Sequence, residues 1–416
     1  MPTFVKFLIA EDHSGGWSKE DQRAARLHVG ALSLSKLADG LLDPKLVLSW
    51  LLGALGAPAA YAGMLVPIRE AGALLPQLLL GGWLGRMQHR RWMWVVGSAV
   101  QGAAAALIAI VALVLEGWQA GLGICGLLAV LAVARAACSV SYKDILGKTV
   151  AQTRRGGVTG LAGSLSAAGV LVFAVLMLTG VLRSQAAVIG AVALAGLCWG
   201  LAALVLAGLS EERSTPETVE GIGQRYLKIL REDANLRRFV LVRGLLVSAA
   251  LAPPYMVMLT AQDGGALGTL GALVLASSGA SLLSSYVWGR MSDHNSPKVL
   301  ALAGALSALA MVAAIAAVGL GVAQTPGVMP TILFGLMLAY HGIRQARSVY
   351  LVDISEEDRR GPNAALANTA IGVLLLVAGG VGGALSIAGP VLALAGFAGM
   401  AGMGGLLALT LREVAD

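Results

Sequence analysis

"GGWLGRMQHRRWMWVVG" at residues 81–97 and "WGRMSDHNSPKVLALAG" at residues 288–304 are two versions of one pattern: an apolar helix end, a short loop with basic residues, and the start of another apolar helix. A shift of 207 positions carries Gly82 onto Gly289, Arg91 onto Lys298 and Gly97 onto Gly304. The same shift carries Gly72-Ala73 onto Gly279-Ala280 and Lys36 onto Arg243. Further along, "RAACSVSYKDI" from Arg135 matches "RQARSVYLVDI" from Arg344 at a shift of 209. Chance explains a few Gly and Ala matches. Polar matches at a nearly constant offset, close to half of the 416 residues, indicate a duplicated chain.

The composition says where such a chain resides. A mean hydropathy of +0.78, with 57% hydrophobic and 13% charged residues, excludes a water-soluble domain of this length. Its 55 glycines suit helices packed closely in lipid, where small residues let backbones approach. A helix needs about 20 mainly apolar residues to cross a bilayer. The expected fold class is therefore an all-α polytopic membrane protein. Its twelve spans are 32–55, 59–84, 92–115, 119–142, 157–180 and 184–208, then 239–261, 265–289, 298–320, 328–352, 363–387 and 390–410.

Hydropathy alone favours a single helix at 46–68 in place of the first two spans, because that window avoids every charge. The repeat decides otherwise. Moved back by 207 positions, the seventh and eighth spans fall on 32–54 and 58–82, which places Lys36, Asp39 and Asp43 on the first helix. The domain plan is then a tail at 1–31, a six-helix bundle at 32–208, a polar linker at 209–238, a second bundle at 239–411 and a tail at 412–416. Within the linker, Ile222, Tyr226, Ile229 and Leu230 recur at helical spacing and predict an amphipathic helix lying on the membrane surface.

Basic residues orient the chain. The turns "GAPAAYAG", "EGWQAG" and "GVAQTPG" carry no Lys or Arg, and Arg183 is the exception on that side. The other side collects Arg86, Arg90, Arg91, Lys148, Arg154, Arg155, Arg290, Lys298, Arg359 and Arg360, which marks it as cytoplasmic. Both termini are expected there, in a multi-pass protein of a bacterial-type inner membrane. The net charge of +7 reflects this asymmetry rather than a nucleic-acid partner. The opening "FVKFLIA" is too short for a signal-peptide core. Cys125, Cys138 and Cys198 all fall within spans and lack CxxC spacing, so packing is expected of them rather than disulfide or metal chemistry.

Two related six-helix halves, inner termini and a long middle loop resemble the major facilitator superfamily of secondary transporters over nearly the whole chain. The loop "GRMSDHNSPK" is similar to a superfamily motif, with Gly289, Asp293 and Lys298 in its defining places and His294 at a basic position. The first-half loop departs from it, with Arg86 where the Asp belongs and His89 where a Gly belongs. The resemblance implies that this Asp latches the half-domains, so the first-half latch lacks its acid. It also implies that the first, fourth, seventh and tenth spans line a central cavity.

An ionisable group at mid-bilayer faces the bundle interior or water, with a partner nearby. Counting about 1.5 Å per residue puts Asp43, Arg69, Glu70 and His341 near the middle, and Arg135 and Arg344 about 12 Å from the cytoplasmic end. Lys36, Asp39 and Asp43 share one face of the first helix, and His341 and Arg344 share a face of the tenth. Lys45 points away from the first of these faces. Asp43, Arg69, Glu70, Arg135, His341 and Arg344 are the candidate substrate and proton-coupling residues. Lys36, Asp39, Asp144, Arg243 and Asp353 are the candidate cytoplasmic gate. One pairing puts Arg69 on Asp43 and Glu70 on a cation of the first or fourth helix. A buried carboxyl so placed has its protonation set by desolvation and neighbouring cations, as proton coupling requires. A structural ion pair holding the first two helices together is the competing reading.

Pro253-Pro254 removes backbone donors within the seventh span and predicts a break there, a candidate gating hinge. The fifth span, "GVTGLAGSLSAAG", lacks the Gly-Pro pair expected of a drug–proton antiporter in this superfamily. No Walker lysine, HExxH or Cys/His cluster points to an enzyme, a cofactor or a metal. The expected function is a monomeric, proton-coupled permease for a small anionic or zwitterionic organic solute, working by alternating access. An exporter of amphipathic compounds and a non-transporting sensor or scaffold are the alternatives.

Overall fold

A computed structural model of the chain describes residues 18–182, 184–215, 233–260, 267–354 and 360–412. All regular structure among these residues is helical. The expected linker helix around Tyr226, and Arg183 and Arg359, lie outside the described residues.

The first span shows how the sequence dictates its helices. Helix α1 (Lys19–Leu42) starts at a capping box: Ser18 Oγ accepts the Asp21 amide at 3.0 Å, and Asp21 Oδ2 accepts the Ser18 amide at 3.4 Å. It begins well before the expected residue 32 and ends at Leu42 because Pro44 follows. Proline cannot continue the hydrogen-bond ladder and pushes the residue before it out of the α region. Asp43 accordingly turns to φ −29°, ψ 114°. Its carboxylate accepts the Lys45 amide at 2.7 Å, closing a turn before α2 (Val47–Ala54) resumes the span.

The second span is α3 (Ala59–Leu74) and α4 (Gln77–Gly85), interrupted at Pro76. The third to sixth are α5 (Arg91–Val114), α6 (Gly117–Thr149), α7 (Gln152–Leu178) and α8 (Gln185–Ala207). The seventh is broken like the first, into α9 (Ala234–Leu246), α10 (Ser248–Leu251) and α11 (Pro253–Thr260), the last starting at the proline pair. Helix α12 (Leu267–Gly319) holds the eighth and ninth spans, divided at Asn295 where the backbone leaves helical geometry (φ −160°, ψ 88°). Asn295 Oδ1 accepts the Lys298 amide at 3.0 Å and so caps the segment that follows. Helices α13 (Val328–Asp353), α14 (Arg360–Ile387) and α15 (Pro390–Ala408) complete twelve spans. Among the described residues, eight helices are long and apolar enough to cross a membrane. The broken first span is not one of them.

Packing repeats between the halves. In the first half α5 packs on α6 and α8, and α1 on α7 and α8; in the second, α12 packs on α13 and α15, and α9 on α15. Glycines make the equivalent crossings possible. A Cβ on Gly102 would stand 2.8 Å from the Gly196 carbonyl oxygen, and one on Gly304 2.7 Å from the Gly405 Cα. The halves meet along two seams, α3 on α14 and α7 on α12, and each seam is the repeat image of the other. At the end of the bundle opposite the chain termini, α2 also packs on α11 and draws the halves together. Large apolar side chains such as Leu113 (67% exposed) and Leu204 (72% exposed) face outward, as lipid contact requires. This is a multi-pass membrane protein.

Candidate functional site

Both first spans, the first and the seventh, are interrupted by proline at similar depth. Interrupted helices at corresponding positions of two repeats mark the binding region in repeat-built membrane folds. The buried charges gather around these breaks.

Asp39 is the hub within the first half. Its Oδ1 accepts Arg69 Nη2 at 2.5 Å and its Oδ2 accepts Arg135 Nη1, so one carboxylate of α1 holds guanidiniums from α3 and α6. The side chains are partly reachable by solvent, at 21% for Asp39, 11% for Arg69 and 34% for Arg135. Arg69 therefore pairs with Asp39 rather than with Asp43 as expected. The physical reason is the Pro44 break, which commits the Asp43 carboxylate to the turn. The three partners belong to one half, so these ion pairs tie α1, α3 and α6 of that half together.

Glu70 points elsewhere. It lines a partly open cleft of about 20 Å³ with Arg243, Tyr340, Ile343, Arg344 and Arg347, all of the second half. The charges that act on it are Lys45, Arg347, Arg69 and Arg344. Arg69, adjacent in sequence, hydrogen-bonds Asp39 within its own half, whereas the Glu70 carboxylate faces the second half. Lys45, which helical spacing pointed away, is 8% exposed. Its ammonium sits 3.8 Å from the centre of the Tyr340 ring, a cation–π contact between the halves. Tyr340 in turn meets the half-buried His341 ring edge-on at 5.4 Å. Arg344 is exposed and Arg347 half-buried.

Arg243 is 6% exposed. It donates from Nη2 to Asn368 Oδ1 at 3.0 Å, and Asn368 Nδ2 donates to Gln77 Oε1 at 3.3 Å. This polar chain runs from α9 through α14 to α4 and so joins the two halves. Its repeat mate Lys36 donates from Nζ to the Thr159 carbonyl of α7 at 3.4 Å, within the first half.

Asp144 lies apart from this region. It binds Arg90 at 2.5 Å and Lys148 at 2.8 Å. Beside it, Glu211 accepts the amides of Arg90 and Arg91 at 3.0 and 2.8 Å, capping the start of α5. The cluster ties the first-half loop to the chain after α8. The Asp144 partners Arg90 and Lys148 are not among the other candidate gate residues. Asp353 ends α13 and is exposed. Gly289 and Asp293 lie on the first segment of α12, His294 donates Nδ1–H to the Arg290 carbonyl at 3.0 Å, and Lys298 opens the second segment.

The sequence reading missed Lys45, Gln77, Arg347 and Asn368. "DPK" at 43–45 was a readable turn signal that rotates Lys45 relative to the helix before it. Arg347 stood within the repeated "RQARSVYLVDI", where its mate is Cys138, so comparison of the halves passed over it. The neutral amides carried no signal.

No family model matches the chain, and no curated protein does. Solved structures do. A D-xylose-proton symporter aligns with a TM-score of 0.68 at 13% identity, over 95% of this chain and 98% of its own. A POT family transporter in complex with a thioalcohol-conjugated peptide aligns with a TM-score of 0.72 at 10% identity, over 93% and 96%. The human organic anion transporter MFSD10 aligns with a TM-score of 0.58 at 16% identity, over 94% and 100%. The fold is the major facilitator fold. Each pairing covers nearly the whole of both chains, so the likeness is to the fold as a whole. In a major facilitator fold the Glu70 cavity and the Lys45–Tyr340 contact lie where the two halves meet.

Proposed function

We propose that the chain is a secondary transporter that moves a small organic anion or zwitterion by alternating access between its two halves. The observation that carries this reading is the Glu70 cavity. One carboxylate of the first half faces Arg243, Arg344 and Arg347 of the second, so the central charge is split across the surface that must open. Cations exceed acids there, which favours an anionic group on the solute. Glu70 is the proton-coupling carboxyl: with solute present its cations are engaged and it takes up a proton, and with solute absent they hold it ionised. Asp43, Arg69, Arg135 and His341 shape the first-half wall and centre of the path.

The moving bodies are residues 32–208, extended back to Lys19, and residues 239–411. The breaks at Pro44 and at Pro253-Pro254 act as hinges, while Lys36, Asp39, Asp144, Arg243 and Asp353 order the cytoplasmic end. The transporter works as a monomer in the inner membrane, with both termini in the cytoplasm and neither cofactor nor nucleic acid. An apolar pocket of about 420 Å³ lies among α9, α14 and α15 of the second half alone, lined by Leu245, Leu374, Phe397 and Met400. Its place outside the inter-half surface favours an ionic solute over an amphipathic export substrate.

The test is a thermal-shift screen of the purified protein against organic anions, zwitterions and neutral solutes at two pH values, followed by uptake into proteoliposomes. Bound solute raises the melting temperature by mass action. Stabilisation by anions at a pH-dependent concentration supports the reading. Stabilisation by neutral amphipathic compounds alone, or unchanged uptake after neutralisation of Glu70, overturns it.

A further inference from the structure

The elbow of α12 carries chemistry that the transport path does not use. Val287, Arg290, Met291 and His294 recur three and four residues apart and form one face of the segment before Asn295. Lys298 and Leu302, four apart, lie on the segment after it. The bend at Asn295 turns these faces around one open groove of about 720 Å³.

The groove is graded. Counting about 1.5 Å per residue, His294 and Lys298 lie within about 5 Å of the elbow, Met291 about 6 Å and Arg290 about 8 Å from it, whereas Val287 and Leu302 lie about 10–12 Å away. The three basic side chains are exposed. So are the apolar ones, at 53% for Val287, 40% for Met291 and 44% for Leu302. The capped Lys298 amide fixes where its side chain leaves the helix. A free phosphate would need only the basic end. A wall that passes from cations to exposed aliphatic groups along the membrane normal has the polarity of a phospholipid.

We propose that this groove is a binding site for one anionic phospholipid, with its phosphate between Arg290, His294 and Lys298 and an acyl chain along Val287, Met291 and Leu302. Basic pockets between spans at a membrane face recognise such headgroups by charge. The occupied groove splints the two segments of α12 across their bend.

Native mass spectrometry of the purified full-length protein, titrated with phosphatidylglycerol or phosphatidylcholine of the same acyl chains, tests the site. One phosphatidylglycerol is expected to be held about thirty-fold more tightly, the factor two permanent cations give at the membrane surface. Arg290→Gln/Lys298→Gln should abolish that preference, whereas Arg86→Gln, a basic exposed residue elsewhere, should keep it. Leu302→Trp fills the apolar end and should release the lipid without altering the basic residues. Equal retention of both lipids, or an unchanged preference in the double variant, overturns the proposal. Competition by sn-glycerol 1-phosphate at the same concentration as the lipid also overturns it, since headgroup chemistry would then suffice. If the double variant does not purify, unchanged retention in Leu302→Trp overturns it alone.

Discussion

Lys45 places its ammonium 3.8 Å from the centre of the Tyr340 ring, so a cation from the break in the first span rests on an aromatic of the other half. Tyr340 lines the cleft that holds Glu70, and the Lys45 charge acts on that carboxylate. A contact of this kind is worth about 1–2 kcal/mol when shielded from water. It exists only while the halves are together at this level.

Lys45→Met and Tyr340→Leu should therefore be coupled. A double-mutant cycle on thermal unfolding of the purified protein should return a coupling of about 1 kcal/mol. Each single variant should also expose the central path more often, read as faster labelling of a cysteine introduced beside Glu70. Additive effects in the cycle would show that the stacking contributes nothing to closure.

Glu70→Gln removes the titrating group but keeps its shape. Uptake driven by a proton gradient should fall by about a hundredfold or more, while exchange of solute across the membrane without a gradient continues. Retention of gradient-driven accumulation would remove Glu70 from the coupling role.

Asp39→Asn leaves two guanidiniums facing each other without their shared anion. Breaking a buried pair costs about 3–5 kcal/mol, and the partial exposure of Asp39 and Arg135 reduces this to about 2–3 kcal/mol. The melting temperature should drop by several degrees. Asp144→Asn, whose carboxylate is as shielded and also holds two cations, should cost about as much. An unchanged melting temperature in Asp39→Asn would mean that the Asp39 cluster is no brace.

Asn368→Leu interrupts the chain from Arg243 to Gln77. It should weaken the contact between the halves by about 1–3 kcal/mol, the cost of leaving buried donors without acceptors. Spin labels on α4 and α14 should then show a wider distance distribution. Asn368→Asp should widen it as well, since the carboxylate keeps Arg243 but loses the N–H that reaches Gln77 Oε1 across the halves.

The duplication, the helical class and most of the spans were legible because apolar periodicity and an offset of half the chain survive in the residues themselves. The charged first span was legible only through its repeat. Its start at Lys19 was not, since α1 there is polar and its capping box gave no contrast with the tail. The candidate site was legible as a set of charges but not as a set of pairs. Helical spacing assumed that α1 runs unbroken through Asp43, and Pro44 invalidates that assumption for every residue after it. Arg69 consequently finds Asp39, and Lys45 turns inward to Tyr340. The amide bridge of Gln77 and Asn368 depends on α4 meeting α14, a tertiary fact with no local trace.

Asp39 ties Arg69 and Arg135 to the frame of one half, so those two positive charges ride with that frame wherever it swings. In the proposed cycle the field at Glu70 then changes as solute binds and as Arg243, Arg344 and Arg347 approach or recede from it. On the proposed alternating access, a tilt of one half against the other would be converted into a voltage at a single carboxyl, a mechanical-to-electrical coupling with one moving electrode and one fixed one.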